Sequence, residues 1–288
     1  MIEWAAGEST AVALRFLVYL DLLLLAGLLL CVRRTVPGEV SVRSIAGLAT
    51  AGAILTAAQL LASALAMTGG DAAVRDAEML RFIAVETPAG QSAIARFLLL
   101  TILAIAAALA RTPHTLLALA ALVALAWTGH AGASEGSTGL VHRASDILHL
   151  IAASAWLGTL ALLLRALIRS RAATADLIAA LRRFAVTGTL IVGTLLATGI
   201  VNLWAITGLG SLPTLAATGY GRMLGVKLAL FAAMLGFAAL NRWRLTPRLK
   251  TAPISAMRSL RMSVAVETTL AVGVILAVAV LGTLSPVS

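Results

Sequence analysis

The stretch 129–160 reads GHAGASEGSTGLVHRASDILHLIAASAWLGTL. Its first half is polar and rich in Gly and Ser, and its second half is an apolar run. It holds three of the four histidines, His130, His142 and His149, together with Asp146 one helical turn before His149. A polar, metal-ligating segment that continues into an apolar helix predicts a membrane protein with a polar cluster at one membrane surface.

Composition assigns the rest of the chain to the membrane as well. Of its 288 residues, 60% are hydrophobic and 12% are charged, whereas a soluble domain carries about 25% charged residues. The apolar residues form blocks of about twenty, the length with which an α-helix crosses ~30 Å of hydrocarbon. Because lipid offers the backbone no hydrogen bonds, we expect an all-α polytopic transmembrane helix bundle that forms a single domain over 1–288.

Eight spans are expected from these apolar blocks. Their approximate bounds are 11–32, 43–67, 93–110, 115–133, 145–168, 185–207, 221–241 and 263–284. The third and fourth spans are short and are joined by a tight turn, which predicts an antiparallel hairpin. The acidic N-terminus, with no small-residue cleavage site after the first apolar run, favours a retained helix over a removed signal peptide.

The distribution of positive charge predicts the orientation. Fifteen of the 22 Lys and Arg residues lie in the loops after spans one, three, five and seven. Cytoplasmic loops are enriched in Lys and Arg, so these loops are expected in the cytoplasm and both termini on the outer side of the membrane. The histidines of the central stretch then lie on the outer side as well, and only His114 faces the cytoplasm.

The net charge of +10 does not indicate a nucleic-acid partner. The basic residues lie in short loops between apolar blocks, and the sequence has no Gly-rich phosphate loop and no basic–aromatic stripe. The single cysteine, Cys31, excludes an internal disulfide and a Cys-based metal cluster.

Four residues of the central stretch are candidate metal ligands, namely His130, Asp146, His149 and His142. Asp146 and His149 are three positions apart and project from one helix face, and the Gly/Ser-rich loop lets His130 fold back beside them. His142 lies about 10 Å from His149 along a helix axis, so we expect it to receive the ion first and not to share it. Imidazole and carboxylate ligands suit Cu(II), Zn and Ni about equally.

Methionines near the outer surface bear on the identity of the metal. Met67 and Met223 are candidate soft ligands, because thioethers favour Cu(I). Filling gaps in an apolar core is, however, the more common use of Met. The oxidation state of the metal therefore stays open.

Four polar residues lie inside the expected spans, where they are costly and usually face a cavity or a partner. They are Asp21, Asn202, Lys227 and Glu267. Two interpretations are open at this point. Asp21 and Lys227 neutralise one another as a buried structural pair, or these residues line a transport pathway.

Several motifs together resemble the CopD copper-resistance membrane proteins. The run GHA…SDILHLIAASAWLGTL is similar to the central signature of that family. Three further stretches are similar to its later helices, namely FAVTGTLIVGTLLATGIVNLW, TGYGRMLGVKLALFAAMLGFAALNRWRLTPRL and SLRMSVAVETTLAVGVILAVAVLGTLSP. The resemblance covers about residues 90–288 well and the first two spans loosely.

This resemblance implies an eight-helix inner-membrane protein of copper homeostasis and copper resistance. It implies copper ion as the species bound, as Cu(I) or Cu(II), and a periplasmic copper carrier of the CopC type as a partner. The His-bearing signature of the family falls on His130 and His149, with Asp146 before the second histidine. His142 is included from spacing alone.

Three functions remain in competition. The first is copper transport through an outer His/Asp site, and the second is a copper-binding sensor or assembly factor that moves no ion. The third is a membrane redox protein with a b-type haem, which needs paired axial histidines on facing helices. An enzyme is not expected, because the sequence has no HExxH motif and no nucleophile–base spacing.

Overall fold

The computed structural model describes residues 6–32, 40–67, 77–109, 115–129, 132, 136–169, 174–208 and 212–285. Within these residues the chain is helical with short turns, and no strand occurs. The predicted all-α helix bundle is therefore confirmed. His130 and His114 lie outside the described residues.

The bundle is built from long helices that follow the predicted order. They are α1 (Ala6–Cys31), α2 (Val42–Met67), α3 (Pro88–Ala108), α4 (Thr115–Val123), α5 (Gly136–Arg169), α6 (Thr174–Thr207), α7 (Gly219–Leu240) and α8 (Pro253–Leu281). Helix α4 continues as a 3₁₀ turn, Ala124–Trp127. Shorter segments are the helix Ala77–Arg81 with the π turn Phe82–Glu86, the helix Leu212–Leu215, and the π turn Asn241–Leu245 with Thr246–Arg248.

Among the described residues, seven helices are long and apolar enough to cross a membrane. The exception is Thr115–Trp127, where the sequence predicts a span over 115–133. The helix ends early because Thr128 is extended (φ −117°) and Gly129 adopts φ +67°, a left-handed conformation that stops helices. Its helical part is about 20 Å long, shorter than the hydrocarbon layer.

The predicted antiparallel hairpin of the third and fourth spans is present. Helices α3 and α4 pack together, and the hydroxyl of Ser92, near the start of α3, donates to the carbonyl of Ala124, at the end of α4. Thr87 starts α3 as its N-cap and accepts from the Gly90 N–H at 3.0 Å, with Pro88 at the first helical position.

Helices α5 and α6 are longer than their predicted spans. Each has 34 residues, or about 51 Å, against ~30 Å of hydrocarbon. They begin at Gly136 and Thr174, whereas the predicted spans begin at 145 and 185. Hydropathy detects only the lipid-embedded part of a helix, so the polar first turns were missed. His142 and His149 consequently lie on one continuous helix.

Helix α1 lies at the centre and packs against α2, α4, α5 and α8. Gly27 of α1 and Gly158 of α5 form the closest crossing, since a Cβ on either residue would meet the backbone of the other helix. Helix α6 packs on α5 and α7 packs on α8, while α6 and α7 have little direct contact in the described residues. This leaves a space bounded by α5, α6, α7 and α8.

Candidate functional site

A cavity of about 200 Å³ collects polar side chains from several helices, and we call it the histidine cavity. His142, Asp146 and His149 line it from α5, which confirms the predicted common helix face of Asp146 and His149. The other polar lining residues include Arg15 and Tyr19 of α1, Asn202 of α6, and Tyr220 and Lys227 of α7. The guanidinium of Arg15 donates to the carbonyl of Gly282 at the end of α8.

Asp146 is held between a cation and an amide. Lys227 is close enough to interact with it electrostatically, and Asn202 Nδ2 donates to Asp146 Oδ1 at 3.5 Å. Asn202 Oδ1 is buried without a hydrogen-bond partner. Three of the predicted site residues, Asp146, Asn202 and Lys227, therefore meet in the histidine cavity.

His149 is oriented by Thr198 of α6. The Thr198 hydroxyl donates to the carbonyl of Thr194 at 2.6 Å, so its oxygen accepts from His149 Nδ1, which lies 2.8 Å away. This assignment puts the ring proton on Nδ1 and leaves Nε2 with a lone pair. Ser145 strengthens the contact between the helices by donating to the Thr198 carbonyl at 3.1 Å. Nε2 of a neutral His149 is thus available to accept a hydrogen bond or to bind a metal ion.

The complete predicted ligand set is only partly within the described residues. His142 is buried, with 2% of its surface exposed, and lines the histidine cavity. Thr128 and Gly129 also line this cavity, but His130 lies outside the described residues. Among the described residues, no group of three or more His, Cys, Asp and Glu side chains is arranged to hold a metal ion. The ligand set with His130 stays a prediction.

A second polar cluster surrounds Glu267 of α8, which is 1% exposed. Its Oε1 accepts from Trp156 Nε1 of α5 at 3.1 Å, and its Oε2 accepts from Asn241 Nδ2 at 3.0 Å. Trp156 also makes edge-to-face contacts with Phe184 and Phe231, with ring centroids 6.0 and 6.4 Å apart. These residues border a cavity of about 240 Å³, which we call the glutamate cavity.

An apolar cavity of about 280 Å³ lies between these two clusters. His149 and Lys227 line it as well as the histidine cavity, and Trp156 lines it as well as the glutamate cavity. Phe231 and Met234 of α7 belong to its wall. Because His149 and Trp156 are seven residues apart on α5, the two polar ends are separated by about 10 Å of helix. Three cavities thus follow one another between α5, α6, α7 and α8.

Asp21 lies elsewhere, on the side of α1 that faces α2. Its Oδ2 fills the space beside Gly52, and this oxygen has no hydrogen-bond partner. Lys227 is placed beside Asp146 instead, so the structure does not form the Asp21–Lys227 pair that was one reading of the sequence. Asp21 is also absent from the lining of the three cavities.

The two candidate soft ligands do not reach the histidine cavity. Met67 is 68% exposed at the end of α2. Met223 packs against apolar residues of α1 and α8, including Val12 and Leu281. The methionine that borders the cavities is Met234, which is 4% exposed in the wall of the apolar cavity.

Three contacts were not predicted from the sequence, although all of them carry a periodic signal. Thr198 and Asn202 are four residues apart on α6 and face His149 and Asp146, respectively. Trp156, which donates to Glu267, is two helical turns after His149, so it continues the polar face of α5. Polar residues that continue the helix face of a candidate site residue therefore indicate such contacts.

Fold and site together define a class: a multi-pass α-helical membrane protein with ionisable groups on a series of cavities between its helices. Residues 178–281 match the family described as copper resistance protein D, and residues 1–140 match the copper resistance protein D-like N-terminal domain. Copper resistance protein D of Pseudomonas syringae pv. tomato is 34% identical over 97% of this chain and 97% of its own.

This chain belongs to the copper resistance protein D family. A second relative, inner membrane protein YebZ of Escherichia coli (strain K12), is 38% identical over 47% of this chain and 46% of its own. No solved structure matches the chain. The protein is therefore a copper-resistance membrane protein of the inner membrane, as its motifs predict.

Proposed function

We propose that the protein transports copper across the inner membrane along the three cavities. Copper binds in the histidine cavity at His149 and Asp146, together with His130, and His142 receives the ion first. The observation that carries this proposal is the continuity of the cavities, which share His149, Lys227 and Trp156 as lining residues. A binding site alone would not need a space that extends from one polar cluster to the other.

The donor atoms suit the proposed ion. Nε2 of His149 is an unprotonated nitrogen in our assignment, and Asp146 adds a carboxylate oxygen one helical turn away. Nitrogen and oxygen ligands accept Cu(II), Zn and Ni, so the ligands alone do not select copper. The choice of copper rests on the family, whose relatives carry copper resistance in their names.

The middle of the route offers a thioether and aromatic rings beside the ammonium of Lys227. Met234, Phe231 and Trp156 line the apolar cavity together with His149. Thioethers prefer Cu(I) to hard cations, and aromatic faces attract cations. We therefore propose that copper passes this section as Cu(I).

Lys227 controls access to Asp146 in this proposal. A metal ion and the ammonium group compete for the same carboxylate, because both are cations and Asp146 is the partner of Lys227 in the metal-free protein. Copper that binds at Asp146 displaces the Lys227 side chain towards the apolar cavity, which it also lines. Lys227 thus couples the binding of copper in the histidine cavity to the entry of the ion into the apolar cavity.

The orientation and the partner belong to the same proposal. The Lys and Arg residues of alternate loops favour a cytoplasmic position for the loop between α7 and α8. The histidine cavity then opens towards the periplasm and both termini lie there. A periplasmic copper carrier of the CopC type would deliver the ion, and the protein would act as a transporter and not as an enzyme.

Two alternatives make different predictions. A sensor or assembly factor would bind copper at the histidine cavity without carrying it to the other side. A b-type haem needs two histidines on opposite sides of its iron, whereas His142 and His149 are on one helix, about 10 Å apart along its axis. His142 and His149 therefore do not form an axial pair, whereas the pair of His130 with His149 lies partly outside the described residues.

Copper flux into proteoliposomes tests the proposal. We expect the wild-type protein to bind about one copper ion per chain and to accumulate copper in the vesicles. The His130→Ala/His149→Ala variant should lose both activities. Stoichiometric binding without any flux would support the sensor or assembly factor, and unchanged binding in the double variant would exclude the histidine cavity as the copper site.

Lys227→Ala separates binding from movement. Removing the ammonium leaves the copper ligands in place, so we expect the bound copper to remain while the flux falls. The matched control is Lys250→Ala, which removes the same charge from the exposed segment before α8. A flux in Lys227→Ala equal to that of the wild type would remove Lys227 from the route.

A further inference from the structure

The carboxylate of Glu267 lacks a positive partner within the described residues. Its two hydrogen bonds come from neutral groups, Trp156 Nε1–H and the Asn241 amide. Arg242 lines the same cavity, but its guanidinium donates to the Ala185 carbonyl at 3.0 Å and to Thr189 Oγ1 at 2.9 Å, both on α6. A buried charge without a partner costs several kcal/mol, so a carboxylate in this place indicates a cation that neutralises it.

Two polar oxygens next to Glu267 have no hydrogen-bond partner. They are Asn241 Oδ1 and Ser263 Oγ, which belong to side chains with 8% and 5% of their surface exposed. Ser263 is four residues before Glu267 on α8 and therefore lies on the same helix face. Each unpaired buried polar atom costs about 1–3 kcal/mol. Oxygen atoms that lack partners beside an uncompensated carboxylate form the donor set of a cation site.

The backbone at this place is irregular in a way that supports a site. Asn241 is the first residue of the π turn Asn241–Leu245, and Thr246 Oγ1 donates to its carbonyl at 2.7 Å. Single π turns inside α-helices are frequent at functional positions. In transporters, interrupted helices supply groups that coordinate coupling ions. Here the interruption positions the Asn241 amide against Glu267.

We propose that Glu267 and Asn241, which line the glutamate cavity, bind a small hard cation, sodium or a proton, together with Ser263 one helical turn before Glu267. Oxygen donors suit hard cations and are poor ligands for Cu(I), so the bound species differs from the transported copper. A proton on Glu267 Oε2 would donate to Asn241 Oδ1 after a flip of the amide, which exchanges donor and acceptor. The binding of this cation does not depend on the proposed function, whereas its use to drive copper movement rests on that function.

The thermal stability of the copper-free protein in detergent tests the binding. Sodium chloride is titrated against choline chloride at constant ionic strength, and the pH is varied separately without sodium. A cation that binds only the folded state raises the Tm, by ~2 °C or more near saturation. A response to sodium identifies sodium, and a response to lower pH identifies the proton; in both cases Glu267→Gln must lose it.

Asp21→Asn is the matched control for the sodium titration, because Asp21 is also a buried carboxyl of a membrane helix but lines none of the three cavities. It should keep the wild-type sodium response. The groups that face Glu267 from the neighbouring helices, Trp156 and Asn241, do not titrate in the range used, so a pH response lost with Glu267→Gln comes from that carboxyl. No response in the wild type, or an equal response in Glu267→Gln, overturns the proposal.

A second variant protects the test against misfolding. Gln at 267 keeps both hydrogen bonds once the Asn241 amide flips, so Glu267→Gln should fold. Asn241→Leu retains the carboxylate and removes the unpartnered oxygen, so the half-saturating cation concentration should rise about tenfold. An unchanged concentration in Asn241→Leu would also overturn the three-residue site.

Copper flux separates this site from the proposed function. With a sodium or proton gradient imposed across proteoliposomes, we expect faster copper flux in the wild type and no acceleration in Glu267→Gln. Cation binding without copper flux would sustain the site and reject the transport proposal. Copper flux that neither gradient accelerates would sustain transport and reject its coupling to the cation at Glu267.

Discussion

Thr198→Val tests how His149 is prepared for a metal. The substitution keeps the shape of the side chain and removes the acceptor that lies 2.8 Å from His149 Nδ1. A buried N–H without a partner costs about 1–3 kcal/mol, and the ring avoids this cost by moving its proton to Nε2. That move occupies the nitrogen that would bind copper.

The expected loss follows from this competition. Partners that orient a metal-binding histidine typically contribute 10–100-fold to metal affinity, which corresponds to about 1.4–2.8 kcal/mol. This range agrees with the cost of one unpaired buried donor. We therefore expect Thr198→Val to weaken copper binding by ~10–100-fold, without removing a ligand.

The assay is competition for copper between the purified protein and a chelator of known affinity. The control is Thr194→Val, one turn earlier on α6, whose hydroxyl donates at 2.9 Å to the Leu190 carbonyl of its own helix. Both variants should keep the wild-type Tm within a few degrees. If Thr198→Val and Thr194→Val bind copper equally well, either His149 is not a ligand or Thr198 does not orient it.

Two further predictions concern the bundle itself. Gly158→Ala should lower the Tm through ~1–3 kcal/mol of overpacking, because the new Cβ meets the backbone at Gly27. The control Gly193→Ala places its Cβ in open space and should not lower the Tm. Equal Tm values for the two variants would contradict the close crossing. In a Cys31→Ser background, an impermeant maleimide should label Ser285→Cys only from the periplasmic side, and labelling from the cytoplasm would reverse the proposed orientation.

The sequence was sufficient to predict the helices but not all of their ends. Blocks of about twenty apolar residues identify membrane helices because hydrocarbon thickness sets that length. The same signal does not detect the part of a helix that lies outside lipid, so α5 and α6 begin nine and eleven residues earlier than predicted. In α4 the hydropathy signal instead overestimates the length of the helix. The positive φ of Gly129 ends the helix, whereas the predicted span continues to residue 133.

The candidate site was predictable where residues share a helix and uncertain where they do not. Asp146 and His149 were placed on one face from their spacing, which depends only on helical geometry. The partner of Lys227 depends on the rotation and packing of four helices. The sequence therefore left two interpretations open, a pair of Lys227 with Asp21 and a transport pathway lined by these residues. A periodic pattern also does not predict the close contact of α1 with α5 through Gly27 and Gly158, because the pattern does not show which glycines of two helices face each other.

The three acids inside the bundle show how neighbours give the same sequence signal different meanings. Asp146 interacts electrostatically with Lys227 and accepts from the Asn202 amide, so a metal that bound it would compete with both. Asp21 meets Gly52, has one oxygen without a partner and lines none of the three cavities. Glu267 has neutral donors, unpartnered oxygens and a cavity. Because an unbalanced charge is costly in the bundle, only an acid with space and spare donor atoms can balance its charge with a mobile cation, and Glu267 meets that condition.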